Sequence, residues 1–440
     1  MEIILASLLG MLTGIIVGLL PGIGSATVLL ILFPLLQNVD LLSLFIFYAV
    51  LVSASQYFGS VSSIVYGVAG EISSMPAVTH GHPLFQQGRG AEVLSLTSTA
   101  SFVSATLGIG MLLLVFSQLP SLLWVYHNTV LTAMYVVIMV AMVMLTKNKT
   151  LSLVMLLAGL TLGKIGFDVL FRANILAPAY SVLSAGLPFY ALFLGFITVP
   201  ILIKLLADKQ PMESNPIDGI NLTIANRFKM LFSLTEIKSV LRGSILGGFI
   251  GILPGASYAL SSSICDRIEK KFNDSGLARL LAAESANNSA AITVLIPLLF
   301  LAIPIVYSES ILLGIAEGMG FGITTSVSFL TDNIKPILLT LFVSNVILWI
   351  IAGSLYRAVI TLYNYTQKYL YQGMLLSAVI MVTWLGYLGN QLLLSLSVFV
   401  ICVLAGWKIT ANDSKLVLVF AFFIADSAID ELYRFYLLNF

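Results

Sequence analysis

Apolar positions in this chain fall into long unbroken runs rather than into the alternating pattern of a half-buried strand or the one-sided stripe of a surface helix. Residues 3 to 36 are almost wholly apolar around Pro21-Gly22, and residues 243 to 264 around Pro254-Gly255. A helix needs about 20 apolar residues to cross hydrocarbon. The first run is too long for one simple span, so it predicts a helix, a break and a second helix, and the second run predicts the same. Further helices are expected near 41–58, 93–117, 121–145, 150–163 and 187–207. After the second break they are expected near 286–303, 308–322, 337–362, 374–389, 391–407 and 415–438. A short Ser/Gly-rich element at 59–75 is too polar to read as a full span.

The two breaks carry one motif. Gly14, Gly18, Leu20, Pro21 and Gly22 recur as Gly247, Gly251, Leu253, Pro254 and Gly255, at a constant offset of 233 residues (247 − 14 and 254 − 21). Proline removes a backbone donor, and a Pro-Gly pair frees amides and carbonyls that hydrocarbon cannot satisfy. Such breaks persist where main chain lines a cavity. Two of them in corresponding positions of two halves point to the binding site of a secondary transporter. Gly24 and Ser25 after the first break, and Ala256 and Ser257 after the second, leave small residues and free amides at a helix start. The helix dipole there suits a carboxylate, and the opposing carbonyls suit a cation. A packing kink with Gly-x-x-x-Gly serving close helix contact is the alternative.

Composition sharpens the class. Of 440 residues, 59% are hydrophobic and 9% charged, which reads as an all-α polytopic membrane protein. The net charge of +1 and the absence of a basic tract exclude nucleic-acid binding. Cys265 and Cys402 lack metal-ligand spacing and read as buried apolar residues. The N-terminal run lacks a basic leader and is expected to stay as the first membrane element.

One polar linker, residues 208–235, divides a first repeat (1–207) from a second (236–440). Lys204, Lys209, Arg227, Lys229, Lys238 and Arg242 cluster about it, and Arg267, Lys270, Lys271 and Arg279 follow the second break. The flanks of the first break hold no Lys or Arg. By the positive-inside rule this asymmetry predicts two repeats inserted with opposite orientation.

Two polar constellations sit in apolar surroundings. Gln56, Ser60, Ser62 and Ser63 lead to Gly70 and Glu71; Glu284, Asn287, Asn288 and Ser289 lead to Pro304. Buried asparagines are costly unless satisfied, and their carbonyl oxygens suit sodium while their amides suit substrate oxygens. Hydrogen-bonded glue between helices is the other reading. Glu71 and Glu284 are the candidate coupling acids among a set that includes Glu92, Glu309, Glu317, Asp426 and Asp430. Lys164, Asp168 and Arg172 read as an ion-paired helical stripe. His80 and His82 read as a polar loop, with a weak metal site or acid-base work as alternatives.

At these residues the chain resembles the TctA family, the large permease subunit of bacterial tripartite tricarboxylate transporters. The resemblance rests on Leu20-Pro-Gly-Ile-Gly24, Tyr57-Phe-Gly-Ser-Val-Ser-Ser-Ile64, Ala69-Gly-Glu71, His80-Gly-His-Pro83 and Gln87-Gly-Arg-Gly90. In the second half it rests on Leu253-Pro-Gly-Ala256, Glu284-Ser-Ala-Asn-Asn-Ser-Ala-Ala291 and Ile303-Pro-Ile305. Ala69 stands where the family has proline, Gly67 where it has asparagine and Ile305 where it has glycine. The histidines stand where it has an acid and a tyrosine.

The resemblance implies import of a small carboxylate across a bacterial inner membrane. It also implies delivery by a periplasmic solute-binding protein, assistance from a small membrane subunit, and an ion gradient as the driving force. No cofactor is indicated beyond a coupling cation, Na+ or H+. An intramembrane enzyme or lipid-handling protein and a passive anion channel are the competing functions.

Overall fold

The computed structural model describes residues 2–19, 24–69, 72–122, 128–144, 146–168, 173–175, 181–207, 234–253, 258–302, 304, 306–366 and 369–439. Among them the chain is helical apart from turns and one two-stranded antiparallel sheet. The first part runs α1 (Glu2–Leu19), α2 (Ser25–Leu36), α3 (Leu41–Tyr66), short helical turns through Ile72–Ser74 and Ala77–Arg89, then α4 (Gly90–Leu122). Next come α5 (Asn128–Met144), α6 (Lys149–Gly163), strands β1 (Gly166–Asp168) and β2 (Ala173–Ile175), α7 (Phe189–Phe193), a π turn at Leu194–Thr198, and α8 (Val199–Ala207).

The remainder holds α9 (Leu234–Gly251), α10 (Tyr258–Phe272), α11 (Gly276–Thr293), α12 (Leu295–Leu301), α13 (Tyr307–Glu317), α14 (Ile323–Thr366), α15 (Leu370–Leu388), α16 (Leu392–Lys408) and α17 (Asn412–Asn439). Among the described residues, six stretches are long and apolar enough to cross a bilayer: Glu2–Leu19, Leu41–Tyr66, Ala77–Phe116, Phe189–Ala207, Ser328–Tyr365 and Tyr371–Leu388. This is a multi-pass membrane protein.

The helices form two compact units. One comprises Met1–Leu119 with Gln210–Thr366, the other Pro120–Lys209 with Gln367–Phe440.

In the first unit, one packing pattern occurs twice. Gly10, Gly14 and Gly18 of α1 lie flat on α3: methyl groups placed on them would come 2.5, 2.5 and 2.7 Å from the carbonyl oxygens of Phe47, Leu51 and Ser55. Gly243, Gly247 and Gly251 of α9 lie in the same way on Ala282, Ala286 and Ala290 of α11. Each glycine partner is again 233 residues on (243 − 10), and each contacted residue 235 (282 − 47). Only glycine lets two backbones approach this closely, which is how small-residue stripes hold helices together in lipid.

The ends of the packed helices match too. Asp40 caps α3 by accepting from the Ser43 amide at 3.0 Å, and Ser275 caps α11 by accepting from Ala278 at 3.2 Å. Gly67 ends α3 with φ of 69°, and Ala302 ends α12 with φ of 53°. Both pairs are 235 residues apart (275 − 40 and 302 − 67). The α11–α12 pair is therefore a kinked counterpart of α3.

Helix α3 is buried along nearly its whole length, which explains why its sequence is apolar on every side. It also corrects the expectation of a separate element at 59–75. Residues 59–66 continue α3, because the hydroxyls of Ser62 and Ser63 bond back to the Gly59 carbonyl and make the polar stretch compatible with helix.

The second unit repeats the glycine device. Gly159 and Gly163 of α6 lie on α17, where a methyl on Gly163 would meet the Ala425 Cβ at 2.6 Å. Gly195 lies on α16, 2.6 Å from the Phe399 carbonyl by the same construction. A core of Ala191, Leu194, Val199, Ala378, Val382 and Phe399 fills the space among α7, α8, α15 and α16.

The expected Lys164–Asp168–Arg172 helical stripe is not formed. Helix α6 stops at Gly163, Asp168 lies in β1 paired with Ala173 of β2, and Arg172 lies outside the described residues. Lys164 instead donates to Asp430 of α17 at 2.6 Å, so Asp430 is half of an ion pair rather than an isolated acid.

Candidate functional site

The two polar constellations meet inside the first unit. Ser60 comes from α3, Ser101 from α4, and Glu284, Asn287 and Asn288 from α11; all five are buried. The Glu284 carboxylate accepts from the Ser101 hydroxyl at 3.2 Å and from the Asn288 side-chain amide at 2.9 Å, and it also takes a hydrogen bond from Ser60. Asn288 donates as well to the Glu284 carbonyl and to the Ser101 hydroxyl, both at 3.0 Å. Residues from both sequence halves thus share one hydrogen-bonded cluster. Leu96, Ala100, Val240 and Leu281 form a buried apolar cluster joining the same α4 and α11 to α9.

Two features leave binding capacity beside this cluster. The Asn287 side-chain oxygen, Oδ1, is buried without a hydrogen-bond partner among the described residues, an acceptor that native interiors seldom leave idle. A methyl group placed on Gly59, in the middle of the buried α3, would meet no described atom within 4 Å. Ser62 and Ser63 spend their protons on the Gly59 carbonyl, both at 3.0 Å, which leaves their oxygens able to accept.

The other expected residues are distributed as follows. Gly24 and the buried Ser25 begin α2, and Pro304 is half-buried just after the left-handed Ala302. Pro21, Gly22, Glu71, Pro254 and Gly255 lie outside the described residues. Glu309 is buried and caps α13, accepting from the Val306 amide at 3.2 Å; this is a structural role. Glu92 pairs with exposed Arg89 at 2.8 Å.

The histidines are not in a polar loop. Both occupy helical turns, and their side chains part company. His82 is buried under Gly67, with Nδ1 2.9 Å from the Ile64 carbonyl oxygen. His80 bonds Asp266 at 2.9 Å. Asp266 also takes Arg279 at 2.9 and 3.1 Å, so this network ties the first half to the second. Burial would raise the Asp266 carboxyl, but the hydrogen bonds and charges of His80 and Arg279 outweigh it and hold the group below the usual carboxylate range. Beside it, burial and the neighbouring carboxylates push the Cys265 thiol up to about 12, which leaves it inert. No group of three or more His, Cys, Asp or Glu side chains with metal-site geometry occurs among the described residues.

Sequence reasoning passed over Ser101, the Tyr48–Ser308 hydrogen bond at 2.9 Å, and the Gln56–Ser73 bond at 2.8 Å. The signal for Ser101 was present. Ser95, Thr97, Ser98, Thr99, Ser101 and Ser104 crowd one apolar segment, and all are buried.

A profile of the tripartite tricarboxylate transporter TctA family matches residues 4–420, nearly the entire chain. The chain belongs to the TctA family. It is also similar to an uncharacterized 52.8 kDa protein in the TAR-I ttuC′ 3′ region of Agrobacterium vitis, with 28% identity over 324 residues. That alignment takes in 70% of this chain and 64% of the relative, so the matched region spans somewhat less than two thirds of the relative's length. No solved structure matches the chain. The TctA family is one of bacterial transporter permeases, not enzymes, and the all-helical fold with six candidate spans agrees with that class.

Proposed function

We propose that this TctA-family chain is the large permease of a tripartite system in a bacterial inner membrane, importing a small di- or tricarboxylate by cation-coupled alternating access. The observation that carries the proposal is the convergence of Ser60 and Ser101 from the first half with Glu284 and Asn288 from the second, next to the idle Asn287 carbonyl. A site built from both halves can be exposed alternately if the halves are inversely inserted, and the lysine and arginine asymmetry supports that insertion. The carboxylate is expected at the amides of the Pro21-Gly22 and Pro254-Gly255 breaks. Gly24, Ser25, Ser60, Ser62, Ser63, Asn287, Asn288 and Pro304 would surround it.

Coupling follows from electrostatics. Bringing an anion into a negative interior costs about 2.3 kcal/mol per charge per 100 mV, so a dianion needs two cations to break even electrically. Glu71 and Glu284 are the acids proposed to sense that cation, Na+ or H+. By family, a periplasmic solute-binding protein delivers the substrate and a small membrane subunit completes the assembly.

The test is uptake of radiolabelled di- and tricarboxylates into proteoliposomes holding the reconstituted three-component system, with imposed Na+ or proton gradients. Asn287→Ala removes an oxygen with no partner among the described residues, so it should abolish uptake while leaving thermal stability unchanged. Wild-type uptake in both Asn287→Ala and Asn288→Ala would remove these residues from the site.

A further inference from the structure

The second unit holds a buried positive charge, and among the described residues no carboxylate answers it. Lys415, in the first turn of α17, is 3% exposed. The other buried lysine among the described residues, Lys164, is paired with Asp430 at 2.6 Å, and the half-buried Arg242 and Arg279 pair with Glu269 and Asp266. Among the described residues the ammonium of Lys415 meets only the ring of Phe196, 5.9 Å away at its centroid. Its neighbours are already committed. Asp413 accepts from the Lys147 amide at 2.9 Å, and the Ser414 hydroxyl bonds that of Ser152 at 2.8 Å. A buried ammonium with no counter-charge is expensive, and the free amides of the α17 start add positive potential at the same place.

The surroundings specify which anion would answer it. Lys147, Lys149 and Lys408 are exposed on the turns that lead into α6 and out of α16, so the α17 start belongs to a basic edge of the kind found on the cytoplasmic side. Phe196 lies one turn before Val199 on the continuous helical run into α8. Val199 opens a groove of about 200 Å³ lined entirely by apolar side chains, including Leu375, Val379, Phe399, Val400 and Leu404. Val379, Val400 and Leu404 are 45%, 54% and 62% exposed on a protein that spans a membrane. An ammonium wanting an anion, with an apolar groove beginning a turn away, fits a phosphate that carries an acyl chain.

We propose that Lys415 and the α17 N-terminus bind the phosphate of an anionic phospholipid, whose acyl chain occupies the Val199–Phe399 groove. This site lies in the second unit and is separate from the carboxylate site proposed in the first.

The test uses the delipidated full-length protein in detergent, titrated with phosphatidylglycerol, with phosphatidylcholine of the same chains, and with inorganic phosphate. Bound lipid is counted by native mass spectrometry. The wild type should retain phosphatidylglycerol in preference to phosphatidylcholine, and tens of millimolar inorganic phosphate should compete only weakly. Lys415→Gln should weaken phosphatidylglycerol binding about five- to tenfold, the worth of one near-surface cation. Lys415→Arg should preserve binding, and Lys408→Gln on the exposed edge should change it less than twofold.

Wild-type phosphatidylglycerol affinity in Lys415→Gln would overturn the proposal, as would equal retention of the two lipids. Full displacement by inorganic phosphate would show a plain anion site and overturn the lipid assignment. Comparison of Lys415→Gln with Lys415→Arg separates loss of charge from loss of fold.

Discussion

The glycine contacts make a quantitative prediction about how the first unit is held together. Replacing Gly14 with alanine puts a methyl 2.5 Å from the Leu51 carbonyl oxygen and 2.6 Å from the Ala54 Cβ, where ordinary contact begins at 3.4 Å. Helix α1 must therefore withdraw from α3 by about 0.9 Å (3.4 − 2.5), because backbone atoms cannot rotate aside. Overpacking of this kind costs about 1–3 kcal/mol. At about 2–4 °C per kcal/mol for a body of this size, Gly14→Ala should lower the unfolding midpoint by several degrees. Gly247→Ala should do the same, since Gly247 lies on the Ala286 backbone as Gly14 lies on Leu51.

Gly110 is the control. It is exposed within α4, and a methyl there meets no described atom within 4 Å. Gly110→Ala should be neutral or stabilise by about 0.5–1 kcal/mol, the helix-propensity gain. The assay is differential scanning fluorimetry of the three variants in one detergent, followed through intrinsic tryptophan emission. If Gly14→Ala and Gly247→Ala both melt with the wild type, the close packing of α1 on α3 and α9 on α11 is not what holds the unit, and the reasoning fails.

Three further predictions follow from single contacts. Gly59→Ala should leave the melting midpoint within about 1 °C of wild type and yet abolish carboxylate uptake, because the methyl enters space beside Ser60 that no described atom fills; retained uptake would mean that this space is not used by substrate. Lys164→Met should cost about 2 kcal/mol by stranding Asp430, and adding Asp430→Leu should recover most of that loss in denaturation measurements; no recovery would argue against the pair. Asp266, held below the usual carboxylate range, contributes stability that is present above its unfolded value of about 4 and lost as pH falls through the lower folded value. Asp266→Asn should therefore lower the midpoint at neutral pH and flatten the acid limb of the stability curve, and superimposable acid limbs would contradict this.

What the sequence disclosed was whatever depends on local chemistry. The repeated Gly-x-x-x-Gly-x-Leu-Pro-Gly string announced two alike segments, and the structure finds Gly14 and Gly18 on α3 in contacts like those of Gly247 and Gly251 on α11, while the Pro-Gly pairs lie outside the described residues. The Ser60 and Asn287–Asn288 constellations were visible as polar residues in apolar company, and Ser60 does meet Glu284 and Asn288. The parts that stayed hidden depend on partners far away in sequence. Asp430 reads as a lone acid until α6 lies against α17 and brings Lys164 to it. Glu309 reads as another until it is seen to cap its own helix. Ser101 belongs to the acid cluster only because α4 crosses α11. The end of α3 was misjudged for a different reason. Serine lowers apparent hydrophobicity, but its hydroxyl can return its proton to the same helix, and a hydropathy reading does not count that bond.

The most direct test of the central claim is substrate protection of a single cysteine. Gly59→Cys, placed in a background where Cys265 and Cys402 are replaced by serine or alanine, would put a thiol beside Ser60 in the cluster joined by both halves. If this cluster lines the carboxylate pathway, a small polar thiol reagent should label the cysteine in membranes, and a transported carboxylate should slow that labelling in proportion to its occupancy. A cysteine that stays unlabelled in every gradient condition, or that labels at one rate with and without each carboxylate tested, would contradict the account.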